Sequence, residues 1–156
     1  MTSSWAPTTD GLTVVADEGE RAAHFAVRHA VFVEAQGLFA GSDRDARDAR
    51  EDTLHVVARV DGAVVGTVRL YPLDDAGLWK GDRLAVLPSA RVHRLGGELV
   101  RFAVRTAGEL GGARMVAQIQ PANVRFFEHL GWACDGEAGP YCGVIHQPMA
   151  IPLSAP

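Results

Sequence analysis

Residues 83–103, RLAVLPSARVHRLGGELVRFA, combine residue types that could hold an anion. A β-rich run ends at Pro88, a short stretch carries Arg91, Gly96 and Gly97, and a helical pattern follows. The first turn of a helix has backbone N–H groups without intrahelical acceptors, and the helix dipole adds positive charge there. The segment therefore predicts a phosphate-binding turn. An ordinary strand-to-helix turn is the alternative for this feature taken alone.

The surrounding patterns predict a mixed α/β domain in which strands and helices alternate around one sheet. Asp61-Gly62 is typical of a two-residue type I′ turn and predicts a β-hairpin. We expect strands at 12–16, 53–60, 63–71, 79–87, 113–119, 132–134 and 141–151, and helices at 18–35, 95–110 and 123–130. Residues 36–52 carry five acidic side chains without periodicity and predict a polar loop, which at this length is typical of a functional segment.

Length and composition limit the classes of protein. The 156 residues suit one core, and we expect a flexible tail at 1–11 and a single domain at 12–152. A net charge of −4 disfavours nucleic acid and anionic membranes as partners. Cys134 and Cys142 are too few for a disulfide framework, and no run of 18 apolar residues or export signal is evident, so we expect a cytoplasmic protein.

Two motifs resemble those of the GNAT superfamily of acyl-CoA-dependent N-acyltransferases, and the resemblance extends from residue 12 to residue 151. That family has a strand ending in V-x-P followed by R/Q-x-x-G-x-G/A, and later an Asn, an aromatic four residues on, and G-F/W. The matching positions are Val86, Pro88, Arg91, Gly96, Asn123, Phe127, Gly131 and Trp132. The resemblance implies an α/β GNAT fold: a mixed, mostly antiparallel central sheet, splayed in the middle and flanked by helices.

The resemblance also implies acetyl-CoA, or another acyl-CoA, as co-substrate. It assigns the CoA arm and pyrophosphate to Ala85, Val86, Arg91, Val92, His93, Arg94, Leu95, Gly96, Gly97, Asn123 and Phe127. Two positions depart from the family pattern. Arg94 stands where the first glycine of the loop usually lies, and Phe127 where many relatives have a tyrosine that protonates the leaving thiolate.

Deprotonation of an alkylamine acceptor requires a general base, because an amine of pKa about 10.4 is almost wholly protonated at neutral pH. Spacing does not single out one residue. The base candidates are Glu34, Asp82, His55 and Glu128, and Tyr141 is a candidate acid. For each, a solvated charge or a satisfied core polar group is the alternative. We take Glu34, Asp82 and Tyr141 forward as catalytic candidates.

The N-terminal half resembles acyl-homoserine-lactone synthases, which show the same order of Arg, Phe, acidic triplet and strand Arg. The matching residues are Arg28, Phe32, Asp43, Asp45, Asp48 and Arg69. The resemblance implies that Arg28, Phe32, Asp45, Asp48 and Arg69 bind the amine substrate or brace the loop above it. The alternative is a structural ion network of Asp45 or Asp48 with Arg28 or Arg69.

Three further expectations concern individual side chains. If Arg69 or Arg83 faces the cleft, we expect a substrate that bears a carboxylate, because guanidinium binds carboxylate in a bidentate manner. His29 lies on the apolar stripe of the first helix and is expected in the core. Cys134, Cys142 and His146 lack the spacing of a zinc site, so we expect no metal.

The sequence thus favours an N-acetyltransferase that transfers an acyl group directly to a primary amine of a small molecule in a ternary complex. A non-catalytic acyl-CoA-binding regulatory module and an acyl-homoserine-lactone-synthase-like enzyme are the alternatives. Several segments together, including FVEAQGLF and GTVRLYP, resemble a bacterial GNAT subfamily associated with nitrogen starvation, which implies a setting in nitrogen metabolism. We expect a monomer or a homodimer.

Overall fold

The computed structural model describes residues 10–154, so the expected tail at 1–11 lies outside the described residues except for its last two. Gly11 already opens the first strand. The strands are β1 (Gly11–Val14), β2 (Leu54–Val60), β3 (Ala63–Pro72), β4 (Leu78–Val86), β5 (Arg114–Ile119), β6 (Ala133–Cys134), β7 (Gly139–Tyr141) and β8 (Val144–Pro152). The α-helices are α1 (Glu18–Arg28), α2 (Leu95–Glu109) and α3 (Val124–His129).

The strands form one mixed, mostly antiparallel sheet flanked by helices, which confirms the predicted fold class. The strand order is β1-β2-β3-β4-β5-β8-β6, with β7 paired to β8. The pairing of β4 with β5 is parallel, while the other strand pairs are antiparallel. Asp61 and Gly62 both have positive φ, which confirms the predicted hairpin turn between β2 and β3.

The two faces of the sheet differ in chemistry. Val68 and Leu70 of β3 pack with Leu99 and Ala103 of α2 in the main hydrophobic core. Residues alternate between faces along a strand, so Arg69 lies on the face toward α1. The sheet is therefore apolar under α2, whereas under α1 it combines buried charged groups with a smaller apolar cluster.

The sheet is splayed in the middle, as expected. β4 and β5 pair only from Leu78 to Lys80, and no later pairs join them in the described chain. Just beyond, β4 has a β-bulge against β3, with Arg83 at φ +53°. A bulge bends a strand and increases its twist, so β4 turns away from β5. The buried Thr67 hydroxyl donates to the Arg83 carbonyl oxygen at 3.0 Å and holds the bulge.

The polar face under α1 contains a buried ion network, formed by Arg28, Arg69, Arg83, Asp43, Asp45, Asp48 and Asp82. Arg28 is fully buried and donates to Asp43 Oδ2 and Asp48 Oδ1, both at 2.7 Å. Because Asp43 and Asp48 belong to the polar loop and Arg28 to α1, these bonds fix the loop on the helix.

The other two arginines fix the same loop on the sheet. Arg69 of β3 donates to Asp82 at 2.7 and 2.6 Å and to Asp45 Oδ1 at 2.7 Å. Arg83 donates through Nη2 to the Asp43 carbonyl oxygen at 2.8 Å. The structure thus contains the ion network that the sequence left as an alternative to substrate binding.

Two buried histidines complete the network. His24 Nδ1 lies 3.0 Å from the Val56 carbonyl oxygen, which can only accept, so Nδ1 carries the hydrogen. His24 Nε2 is then the acceptor for Arg28 Nη1 at 3.3 Å. Burial, with the neighbouring His55 and Arg28, lowers the pKa of His24 to about 3. Burial alone raises the pKa of Asp48, but hydrogen bonds from His55 and Arg28 outweigh it and hold that pKa well below its usual range.

The structure corrects the predicted buried face of the first helix. His29 is exposed, and the helix buries His24, Val27 and Arg28 instead. The helix then continues as a π-helix over His29–Ala35, which buries Val31 and Phe32. The apolar spacing predicted the wrong buried face because the helix packs partly against charged groups. Its buried residues are therefore partly polar.

The strand predicted at 141–151 is wrong in one respect, because it is two strands. Cys142 and Gly143 both have positive φ and form a tight turn between β7 and β8. Cysteine does not form the local side-chain hydrogen bonds by which asparagine and aspartate favour such turns. The turn was therefore indicated in the sequence only by Gly143.

Replacing Thr67 by valine tests the bulge. Thr67→Val keeps the side-chain shape but leaves the buried Arg83 carbonyl oxygen without its hydroxyl donor, which costs about 1–3 kcal/mol. Urea unfolding measures the loss. Thr13→Val, at an exposed position of β1, is the matched control and should stay within about 0.5 kcal/mol of wild type. Equal losses in the two variants would show that the bulge does not depend on this bond.

The acid dependence of stability tests the network. Unfolded His24 binds a proton below its ordinary pKa of 6.5, whereas folded His24 stays neutral down to about 3. Stability therefore falls as the pH falls through that window, and His24 contributes about 2 kcal/mol of loss between about pH 7 and about pH 5.

His24→Asn should remove that part of the pH dependence, because asparagine does not titrate while its amide can still donate to Val56. The measurement is the free energy of unfolding at several pH values for both proteins. The variant is less stable at every pH, because Arg28 loses an acceptor. The quantity to compare is therefore the slope of the unfolding free energy against pH. Parallel slopes would mean that native His24 binds a proton over the same pH range as unfolded His24, so that its pKa is not lowered by folding.

Candidate functional site

A cavity of about 140 Å³ lies where β4 and β5 separate. Core side chains, including Val100, Met115 and Trp132, line its apolar part. Polar groups lie on the same lining: Gln36, Asp82, Arg83, Gln118, Gln120, Asn123, Tyr141 and His146. An apolar cleft with a few polar groups is the usual form of a small-molecule site.

The predicted phosphate turn lies at the end of β4. Residues Pro88–His93 form a 3₁₀ helix, Arg94 follows in the left-handed conformation, and α2 begins at Leu95. No side chain caps α2, so the amides of its first turn, which includes Gly96 and Gly97, are left for another acceptor. The arrangement is that of a helix N-terminus able to bind phosphate.

Arg94 has φ +56° and ψ +35°, a conformation that glycine adopts without strain and other residues adopt at a cost of about 1 kcal/mol. This explains why the family pattern has glycine at this point. The Arg94 side chain is exposed. Arg91 and His93 are also exposed beside the turn. Val92 belongs to the 3₁₀ helix, and Leu95 is buried in the core.

The backbone of β4 offers hydrogen-bonding groups to the cleft. The Leu87 N–H donates to the Val65 carbonyl oxygen at 2.8 Å, so at this residue the main chain faces β3. Alternation along the strand then directs the main chain of Val86 toward β5, where no strand pairs with it. Ala85 faces β3, and its side chain packs with Phe32 in the smaller core.

The opposite wall of the cavity comes from the segment after β5. Asn123 is exposed, whereas Phe127 is buried with its ring edge-on to Trp132 at 5.4 Å. Phe127 therefore brings no proton donor to the cavity. Its neighbour Phe126 lies beside Gly96 at the phosphate turn.

The three catalytic candidates are placed differently. Asp82 and Tyr141 line the cavity, whereas Glu34 is exposed and does not. Both carboxylate oxygens of Asp82 accept from Arg69. The Tyr71 hydroxyl also lies 3.4 Å from Asp82 Oδ2, and burial together with Asp82 raises the pKa of Tyr71.

Tyr141 is connected to β4 by a lysine. Lys80 Nζ donates to the Tyr141 hydroxyl oxygen at 3.1 Å. Burial lowers the pKa of Lys80, but the contact with Tyr141 outweighs it and the pKa is raised. Because the ammonium only donates, the Tyr141 hydroxyl keeps its own hydrogen for another acceptor.

The predicted substrate residues divide into two groups. Arg28, Asp48 and Arg69 are buried in the ion network and do not line the cavity, whereas Phe32 and Arg83 do. Asp45 lies partly exposed at the edge of the network. Burial raises its pKa, but the hydrogen bond and charge of Arg69 outweigh this and lower it.

Sequence reasoning did not assign four polar residues of the cavity wall to the site: Gln36, Gln118, Gln120 and His146. The Gln120 amide donates to Gln36 Oε1 at 3.3 Å. His146 was considered only as a zinc ligand. In one continuous strand Tyr141 and His146 would face opposite sides, but the turn at 142–143 pairs Tyr141 with Val144 and makes His146 its diagonal neighbour on the same face. A glycine after Tyr141 was the available signal.

Between residues 10 and 154 there is no cluster of three or more side chains that could hold a metal ion. No helix in this part of the chain is long and apolar enough to cross a bilayer.

Comparison with known structures shows the same fold. E. coli ElaA superposes with a TM-score of 0.81 at 20% identity, covering 92% of this chain and 99% of that one. A putative N-acetyltransferase from Lactobacillus plantarum gives 0.79 at 24% identity, with coverage of 92% and 99%. The CoA-dependent acyl-homoserine lactone synthase BjaI, solved with SAM and isopentyl-CoA, gives 0.78 at 19% identity, with coverage of 93% and 84%.

No curated protein sequence matches significantly. The profile of the acetyltransferase (GNAT) family, in contrast, matches residues 12–132. That range includes the phosphate turn, the splayed strands and the wall formed by Phe127 and Trp132. The chain belongs to the acetyltransferase (GNAT) family.

Proposed function

We propose that this protein is an acyl-CoA-dependent N-acyltransferase that uses acetyl-CoA and acylates a primary amine of a small molecule. One observation carries the proposal: the uncapped first turn of α2 lies at the end of β4, beside the cleft that β4 forms with β5. A pyrophosphate at the turn and an extended amide chain along β4 fit this continuous site. A cytoplasmic location, a role in nitrogen metabolism and a monomeric or homodimeric state stay predictions.

In the proposed complex, the amides around Gly96 and Gly97 hold the pyrophosphate, Arg91 and Arg94 add positive charge, and His93 lies beside them. The free main-chain groups of Val86 pair with the pantetheine arm. Asn123 and Phe127 lie on the other side of the arm. The thioester then lies in the cavity, whose apolar lining excludes water.

The transfer itself is direct. The amine nitrogen attacks the thioester carbonyl carbon, a C–N bond forms, and the C–S bond breaks. The leaving thiolate needs one proton, and the Tyr141 hydroxyl is positioned to supply it because its oxygen already accepts from Lys80. A thiol of pKa about 8.5 is also a competent leaving group without an acid. Phe127 therefore does not preclude turnover.

The amine end of the cavity is bordered by Asp82, whose negative charge favours an ammonium group. Arg83 lines the same end, and its Nη1 lies 3.8 Å from Asp82 Oδ2 while its other nitrogens donate to the polar loop. A carboxylate on the substrate can pair with Arg83 Nη1. We therefore propose amines that also bear a carboxylate among the acceptors.

The lactone-synthase alternative rests on the order of residues in the N-terminal half, and the ion pairs among these residues fit a role in bracing the loop rather than in binding the amine. Arg28, Asp45, Asp48 and Arg69, matched in order to those enzymes, form one network in the structure. The lactone synthase BjaI was solved with SAM, so this sulfonium amine is a further acceptor to test.

Gly96→Trp tests the phosphate turn. A Cβ at Gly96 meets only Phe126 Cζ, at 3.5 Å, which is ordinary contact, so the backbone at this position has room for a side chain. The indole covers the amides of the turn, and CoA affinity measured by calorimetry should fall more than tenfold. Unfolding free energy should stay within about 1 kcal/mol of wild type. Glu109→Trp, exposed at the far end of α2, is the control and should bind CoA normally. Unchanged affinity in Gly96→Trp would refute the assignment.

Amine-dependent release of free CoA tests turnover. Acetyl-CoA is mixed with a panel of primary amines: polyamines, amino acids and their amides, aminoglycosides and SAM. Thiol release is then followed against a no-amine control. We expect release with at least one amine class, together with the acylated amine by mass spectrometry. Tight acetyl-CoA binding without release for any amine would favour the regulatory-module alternative.

A further inference from the structure

His146 is a buried polar residue of the cavity that the proposed function leaves unused. It lies in β8, is 3% exposed, and lines the cavity together with Tyr141. Its Nδ1 lies 2.8 Å from the carbonyl oxygen of Val144. A carbonyl oxygen only accepts, so Nδ1 carries the hydrogen and Nε2 of the neutral ring has a free lone pair.

Nε2 of His146 makes no hydrogen bond within residues 10–154. The other buried histidines differ in this respect, because His24 Nε2 contacts Arg28 and His55 Nε2 contacts Asp48. Those two rings hold the ion network together. His146 is also the histidine that lines the cavity. Its basic nitrogen is therefore available to a molecule bound there.

The surroundings of His146 contain a proton donor as well. The Tyr141 ring lies edge-on to the imidazole, with centroids 5.3 Å apart. The Tyr141 oxygen accepts from Lys80 and keeps its own hydrogen free. The β7–β8 hairpin thus presents a proton acceptor and a proton donor on one face of the cavity.

Asp82 is the less suitable base. Its oxygens accept from Arg69 Nε at 2.7 Å and from Arg69 Nη2 at 2.6 Å. Taking a proton would break this bidentate pair in a buried position, and losing one partner of such a pair costs about 3–5 kcal/mol. Asp82 can still attract the ammonium without itself being protonated.

We propose that His146 is the general base that deprotonates the amine acceptor, an inference that rests on the proposed function. Nε2 takes one proton from the ammonium, and the nitrogen lone pair attacks the thioester carbon. As the C–S bond breaks, the second proton that the nitrogen loses reaches the thiolate through the Tyr141 hydroxyl. His146 then returns its proton to water, so the cycle yields amide, free CoA and one proton.

His146→Asn is the sharpest test. The asparagine amide can donate to the Val144 carbonyl oxygen as Nδ1 does, so the local fold is kept while the basic nitrogen is lost. With an alkylamine acceptor of the panel, kcat should fall about 100-fold or more, as is usual on loss of a general base. The dissociation constant of acetyl-CoA should not change. His129→Asn, at an exposed histidine of α3 outside the cavity, is the matched control.

The dependence on the amine separates a base from a structural residue. An alkylamine of pKa about 10.4 requires deprotonation, whereas about a tenth of an α-amine of pKa about 7.7–8.0 is already neutral at pH 7. The loss in His146→Asn should therefore be much smaller for the α-amine. Imidazole added at constant pH to His146→Ala should restore part of the alkylamine rate.

Two results would overturn the inference alone: His146→Asn as active as wild type, or an equal loss on both amines with no rescue by imidazole. A wild-type protein that binds acetyl-CoA but releases no CoA with any amine would instead overturn the proposed function.

Discussion

The candidate site depends on the charge pairing beneath α1. The loop between the π-helix and β2 has one short 3₁₀ helix, Ala46–Ala49, and no strand of its own. Asp43, Asp45 and Asp48 nevertheless lie at fixed positions, because arginines from α1, β3 and β4 donate to them. Without these bonds the loop would cover neither the bulge in β4 nor the amine end of the cavity.

The same pairing supports the separation of the strands. Arg83 is held in a left-handed backbone conformation, which a non-glycine residue adopts only when its surroundings require it. Its guanidinium is fixed by the loop, and its carbonyl by Thr67. The bulge thus directs β4 away from β5 and leaves the main chain of Val86 facing an open cleft. A second left-handed residue, Arg94, begins the turn where α2 offers its amides.

Most of the fold could be predicted from the sequence, since alternation, the Asp61-Gly62 turn and the glycines after α2 are local signals. The strand, loop and helix that form the predicted phosphate turn could be predicted as well, because they are contiguous in the sequence. The wall formed by Tyr141 and His146 could not, because it depends on a turn at Cys142 with an atypical residue. The buried face of α1 was misjudged for a different reason: partners distant in sequence make His24 and Arg28 the interior residues.

The ion network also shapes how this sequence can change over time. Asp48 contacts Arg28, Arg69 and His55, and Arg69 contacts Asp45 and Asp82 as well. Replacing one of the buried members leaves its partners with an uncompensated charge in the interior, so single substitutions at these positions destabilise the native state. Residues of the network therefore have to change together. We expect homologues either to keep the whole group or to replace several of its members at once with apolar residues.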